Sequence, residues 1–246
     1  MKLGVTIIVV LTIGYLIYLF KDYIVWFLGA AKVTFLNQKG VRDIQKKGMN
    51  NRNLKNEDIK RYIKISKEAL DKLNINYNRR FILNQDLERH LRYSRFSEKY
   101  VLELLHEILE YMGLNKDNII LKVNYISSKY YVKYAGMYSE KLEHTDDKQI
   151  LINIQNDMTM DTVISILAHE CTHHLLLSNN IKLEDRMQNE CLTDVTAIVL
   201  GFGKYMVEGY KISNRVIYDE EFHRSIKKDR VGYLSYKDVK YAIKNK

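Results

Sequence analysis

Apolar and polar positions change their rhythm several times along the chain, and each rhythm predicts a different kind of element. Leu3 to Phe20, LGVTIIVVLTIGYLIYLF, is an uncharged run of 18 residues. As a helix it covers about 27 Å, close to the hydrocarbon thickness of a bilayer. Tyr15, Tyr18, Tyr23 and Trp26 suit an interfacial aromatic belt. A cleaved signal peptide has a shorter apolar core and a small-residue site soon after it. Gly29-Ala30-Ala31 comes only after Lys21, Asp22 and a second apolar patch. The pattern therefore predicts an uncleaved N-terminal transmembrane anchor, residues 1–31 with the span at 3–20.

Beyond a linker at 32–53, the rhythm becomes helical. Residues 49–112 hold neither Gly nor Pro, and apolar spacing predicts amphipathic helices at Asn56–Leu73 and Phe96–Met112. In the second, Tyr100, Leu104, Ile108 and Met112 share a face with Val101 and Leu105. From Asn118 the period drops to two. Ile119–Tyr125, Tyr130–Ser139 and Gln149–Ile154 read as strands of a small antiparallel sheet, with Gly136 in a turn or bulge of the second. An edge strand near Gln149–Ile154 would suit an extended peptide.

The helical rhythm returns at Met158–Asp161, where Thr159 or Asp161 is a plausible cap. Met160, Val163, Ile164, Leu167, Ala168, Cys171 and Leu175 make one apolar stripe of this helix. Ile166, His169, Glu170 and His173 make another face, so the helix is loaded on two sides and should be central. Ser178-Asn179-Asn180 ends it, and Glu184–Glu208 forms the next helix. Tyr210–Lys246 is least patterned, although Gly232–Ala242 reads as a turn with Ser235 or Asp238 starting a final helix. The expected fold class is α+β, a mainly helical domain at 54–246.

Composition sharpens this picture at three points. Proline is absent, which favours long uninterrupted helices. Net charge is +9, and ten Lys/Arg against three acids lie between Lys32 and Lys64, directly after the apolar run. Placed there, the basic block suits anionic lipid headgroups better than nucleic acid. By the positive-inside rule it orients the C-terminal domain toward the cytoplasm. Cys171 and Cys191 are the only cysteines, too few for a disulfide framework, and read as two small buried apolar residues.

The candidate chemistry is the H-E-x-x-H of His169, Glu170 and His173. With 7 His among 246 residues, and 15 Glu, roughly 0.01 such matches arise by chance. Residues four apart stack on one helical face, so both imidazoles reach one metal ion, with Glu170 beside them to deprotonate a water. A catalytic zinc needs a third protein ligand. Metzincins take it from H-E-x-x-H-x-x-G-x-x-H, but Leu176 and Asn179 occupy the Gly and final His places. The next helix offers Glu190, 17 positions after His173. Asp194 follows one turn later, where it can accept the free N–H of a ligating histidine. His106 and Glu107 lack a second histidine four residues on. His144 and His174 read as bystanders, His174 being about 100° round the helix from His173.

On these residues the chain resembles the gluzincin metallopeptidases, the thermolysin-like class with H-E-x-x-H on one helix and E-x-x-x-D on the next. The resemblance spans residues 149–205, and Glu190–Gly203 (ECLTDVTAIVLGFG) also resembles bacterial gluzincin-like proteins. It implies a zincin-like fold, Zn2+ held by His169, His173 and Glu190, Glu170 as general base, and Asp194 supporting a ligand from behind. It further implies a protein or peptide substrate and a His or Tyr that stabilises the oxyanion. His223, Tyr210 and Tyr233 are candidates for that last role. Two other readings stay open at this level: a non-catalytic metal-binding membrane protein with an interaction or regulatory role, and a nucleic-acid-associated factor using the basic block.

Overall fold

The computed structural model describes residues 54–117, 119–127, 135–140, 147–210 and 232–246, with the backbone alone of 213–218 and 224–229. All belong to the unit Asn53–Lys246. The predicted anchor and basic linker lie outside the described residues, as do His144 and His223. Among the described residues no helix is long and apolar enough to cross a membrane.

The elements run α1 (Asn56–Lys72), α2 (Gln85–Ser94), α3 (Glu98–Met112), β1 (Ile119–Ile126), β2 (Gly136–Ser139), β3 (Lys148–Gln155) and α4 (Met160–Ser178). They continue with α5 (Arg186–Ala197), a π-helical turn at Ile198–Phe202, α6 (Gly203–Gly209), the hairpin β4 (Ser213–Tyr218) and β5 (Arg224–Asp229), and α7 (Tyr236–Asn245). The α+β expectation stands in this mixture of helices and a small sheet. Helix α2 has no counterpart in the periodicity. It is short and polar and buries only Leu87 and Leu91, although Asn84 caps it through bonds from the Asp86 and Leu87 amides.

The sheet corrects two expectations. Its order is β1-β3-β2, with β1 parallel to β3 and β2 antiparallel to it. It is mixed rather than antiparallel, and the Gln149–Ile154 strand is central rather than at an edge. Parallel and antiparallel strands show the same two-residue alternation, so periodicity carries no direction. A parallel pair needs a long connection, and the chain between Ile126 and Lys148 supplies one. Of the predicted Tyr130–Ser139 strand, the described part is Gly136–Ser139.

Helix α4 lies at the centre. It touches α3, β2, β3, α5 and α6, and nearly every residue from Thr162 to Leu176 is buried. A helix apolar on most sides is stable only with neighbours all round. Val163, Ile164, Leu167 and Cys171 face the packed interior with Leu104, Ile108, Ile150, Ile152 and Val195. Each of the Val, Ile and Leu side chains contributes about 1.5–3 kcal/mol by leaving water. Polar support is also buried: Ser66 and Thr196 share a 2.7 Å bond between α1 and α5.

The helix predicted over Glu184–Glu208 breaks at Gly201. That residue has φ 112, and a Cβ there would lie 2.5 Å from the Arg79 carbonyl and 2.7 Å from the Tyr111 hydroxyl. Carbonyls loosened by the π turn are taken up by Tyr111 Oη on Leu200 O (2.7 Å) and Lys246 Nζ on Ile198 O (3.0 Å). In the tail, Ser235 rather than Asp238 is the cap of α7. Its hydroxyl accepts the Asp238 amide, and the Asp238 carboxylate accepts the Ser235 amide in return.

Candidate metal centre

Two capped helices bring the candidate ligands together. Thr159 starts α4 by accepting the Thr162 amide at 3.2 Å, and Asp185 starts α5 by accepting the Gln188 amide at 2.8 Å. Between them the chain reverses. Asn180 takes φ 56, and the Ile181 and Asn180 amides bond the Leu176 and Leu177 carbonyls. Asn189 then clamps both backbone groups of Leu183 at 2.6 Å. The helices return side by side, matching His173 with Glu190 and His169 with Asp194.

Glu190 Oε2 lies 2.9 Å from His173 Nε2 and 3.2 Å from His169 Nε2. The three donor atoms all fall within 4.8 Å of one another, a group able to hold a metal ion. The other ring nitrogens are committed elsewhere. His169 Nδ1 donates to Asp194 Oδ1 at 2.8 Å, and His173 Nδ1 lies 3.3 Å from Thr193 Oγ1. With a proton held on each Nδ1, each Nε2 faces the Glu190 carboxylate, and an incoming ion would take the place of any proton shared there, leaving the tautomer a ligand requires. Two imidazoles and one carboxylate form a donor set that suits zinc and leaves a coordination position open. The residues fit the group.

Asp194 is fully buried and saturated. Besides His169, it accepts the Tyr233 and Leu234 amides on Oδ2 at 2.8 and 3.1 Å and the Tyr210 hydroxyl on Oδ1. Tyr210 is thus buried behind Asp194, which corrects its candidacy as an oxyanion donor. Tyr233 stacks its ring on His169, centroids 5.6 Å apart at 22°.

Burial by itself would keep His169 neutral. Its bonds to Asp194 and Glu190 outweigh that and hold it well above the ordinary imidazole range. Burial raises Glu190 too, but the His169 and His173 bonds win and carry its carboxyl far below the usual range. His173 is lowered, burial being the main cause. This carboxylate-rich cluster favours a cation, and an ion entering it would displace protons.

Glu170 faces another way. It is 6% exposed, and burial lifts its carboxyl to about 7 against the pull of His169. The Tyr138 backbone N–H on β2 donates to it. Strand and helix meet so closely that a Cβ on Gly136 would lie 2.4 Å from Glu170 Oε1 and 2.6 Å from Ile166 Cγ2. Sequence reasoning misses the roles of Gly136, Tyr138 and Thr193 at this site. Gly136 has a signal in its isolated place within a strand pattern, which marks close backbone approach. The Tyr138 contact is made by backbone and leaves no trace in side-chain pattern.

The remaining candidates fall outside the cluster. His174 is buried and bonds Tyr138 Oη and Ser178 Oγ, each at 3.0 Å, and burial lowers it to about 4. Glu107 accepts the Asn84 amide at 3.0 Å, and His106 lines a cleft between α3 and β1. Cys171 and Cys191 are both buried and form no disulfide. No protein-family model, curated protein or solved structure matches the chain.

Proposed function

We propose that this chain is a zinc-dependent metalloendopeptidase of the gluzincin type, with a zincin-like fold. The observation that carries the reading is the convergence of His169 Nε2, His173 Nε2 and Glu190 Oε2 beside the buried Glu170 carboxylate. A structural metal site has no use for a buried carboxyl placed beside the ligands and outside the donor set.

His169, His173 and Glu190 hold the ion, and Asp194 and Thr193 keep the rings turned toward it. When bound, zinc lowers the pKa of a water toward neutrality and polarises the scissile carbonyl. Glu170 accepts the proton of the attacking water on its carboxylate and delivers it to the leaving amine. Edge strand β2, in contact with Glu170, aligns an extended substrate backbone in place of the central strand. Tyr233, stacked on His169 and raised above the usual phenol range by burial, keeps its proton to donate to the developing oxyanion. The N-terminal apolar run and the basic block tether the enzyme to a bilayer with this domain on the cytoplasmic side, restricting it to substrates at or near the membrane.

The test is zinc content of the full-length chain in detergent, beside Glu190→Gln. The expected result is one zinc per chain, sharply weakened by the substitution, and cleavage of a peptide library that Glu170→Gln abolishes. A folded wild-type chain without zinc would sink the reading. Zinc bound without cleavage of any peptide would leave the non-catalytic alternative.

A further inference from the structure

Four residues on α4 recur at intervals of four: Ile166, Glu170, His174 and Ser178. They lie along one face, and β2 runs over it. Gly136 sits against Ile166 and Glu170, the Tyr138 amide donates to Glu170, and the Tyr138 hydroxyl reaches His174 Nδ1 at 3.0 Å. The spacings match. Two residues of strand rise about 6.6 Å and four residues of helix about 6 Å, so successive strand positions on one face meet successive turns.

The far end of the row is closed by a second set of bonds. Ser178 Oγ also lies 3.0 Å from His174 Nδ1, and Lys148 Nζ on β3 donates to Ser178 Oγ at 3.1 Å. The Tyr138 and His174 rings are 5.5 Å apart. The tether therefore joins the motif helix, the edge strand and the central strand. Backbone direction adds a constraint. Ala135 O accepts the Asn153 amide at 2.9 Å, so the alternate residues Gly136 and Tyr138 turn their peptide groups to the outer edge of β2. A shift of β2 would move the donor on Glu170 and the substrate-aligning edge together.

We infer that Tyr138 and His174 are positioning residues, a side-chain latch that sets the height of β2 over Glu170 and so aligns base and substrate backbone. The inference rests on the peptidase reading for its catalytic consequence, whereas the latch itself is a statement about β2. Neither residue faces the zinc ligands' donor atoms, so the latch acts without changing metal binding.

The test uses the full-length chain in detergent with Tyr138→Phe, which removes one hydroxyl, His174→Phe, which removes the ring nitrogens, and His174→Asn, which keeps a polar partner able to donate or accept. Amide hydrogen exchange across Gly136–Ser139 is expected to rise roughly three- to tenfold in both Phe variants, with exchange in Glu98–Met112 unchanged. Zinc stoichiometry should stay at wild type. Peptide cleavage should fall about a hundredfold in kcat/KM, with kcat and KM both moved, and His174→Asn should recover most of both losses. Wild-type exchange in β2 for both Phe variants would overturn the latch, as would a rise spread evenly over β2 and α3. If the wild type cleaves no peptide, the peptidase reading fails while the exchange comparison still decides the latch.

Discussion

Two rows of side chains run along α4, one residue out of step. His169 and His173 face α5, and Glu170 and His174 face β2. One residue turns a helix by about 100°, so a motif that reads as one unit is divided between two neighbours. The neighbours differ in kind. The ligand row is met by side chains, the carboxylates of Glu190 and Asp194 and the Thr193 hydroxyl. The base row is met by an edge strand that gives a backbone N–H, space at Gly136 and one tyrosine hydroxyl. In the proposed mechanism metal binding and proton transfer would therefore rest on separable parts of the fold, and single substitutions should damage one without the other.

The largest effect expected on the base row alone comes from Glu170→Gln. Peptide turnover should drop about 10²- to 10⁴-fold while zinc content stays at one per chain, measured by steady-state kinetics and metal analysis. Loss of zinc in this variant would show the rows to be inseparable. On the ligand row, Asp194→Asn should weaken zinc about 10- to 100-fold in competition with a chelator. It should also lower thermal stability, since the buried Asp194 carboxylate gathers Tyr210, Tyr233 and Leu234.

Gly136→Ala tests the contact between helix and strand. Its Cβ would meet Glu170 Oε1 and Ile166 at under 3 Å, so the variant should lose about 1–3 kcal/mol in denaturant unfolding. Turnover should fall with zinc affinity unaffected. The last effect concerns acid and leaves stability at neutral pH unchanged. His174 stays neutral in the fold down to about 4, whereas an unfolded histidine protonates near 6.5. Between those values the unfolded chain binds the extra proton, so stability falls as pH falls, by at most about 1.4 kcal/mol per pH unit. His174→Asn should flatten that part of the stability–pH curve, measured by urea unfolding at several pH values.

The ligand row is legible in the amino-acid pattern because its partners are side chains at short sequence distance. Glu190 and Asp194 follow His173 and His169 by 17 and 25 residues, the reach of a turn and a returning helix. Strand positions are legible from apolar alternation, and Ile150, Ile152 and Ile154 are all buried. Strand order is not, since apolar alternation does not say which backbone groups are paired, and the buried Asn153 and Gln155 of the central strand are polar letters. The break of the Glu184–Glu208 helix is likewise hidden. Gly201 alone does not reveal that Arg79 and Tyr111 arrive from distant elements to occupy the space of its missing side chain. His174 reads as a bystander because its partner Tyr138 sits on a strand 36 residues away, with nothing in the spacing to join them.

Local pattern thus carries the longer helices and the strands of the three-stranded sheet, narrows two caps to Thr159 or Asp161 and Ser235 or Asp238, and groups His169, His173 and Glu190. These follow from helical period, hydrogen-bonding chemistry of short polar residues and donor type, which act within a few turns of chain. The mixed sheet, the central place of β3, the burial of Tyr210 behind Asp194 and the seating of Glu170 under β2 come from packing. They depend on backbone groups and empty space contributed by segments far apart in sequence, and neither a peptide N–H nor a missing Cβ has a letter of its own that says what it will meet.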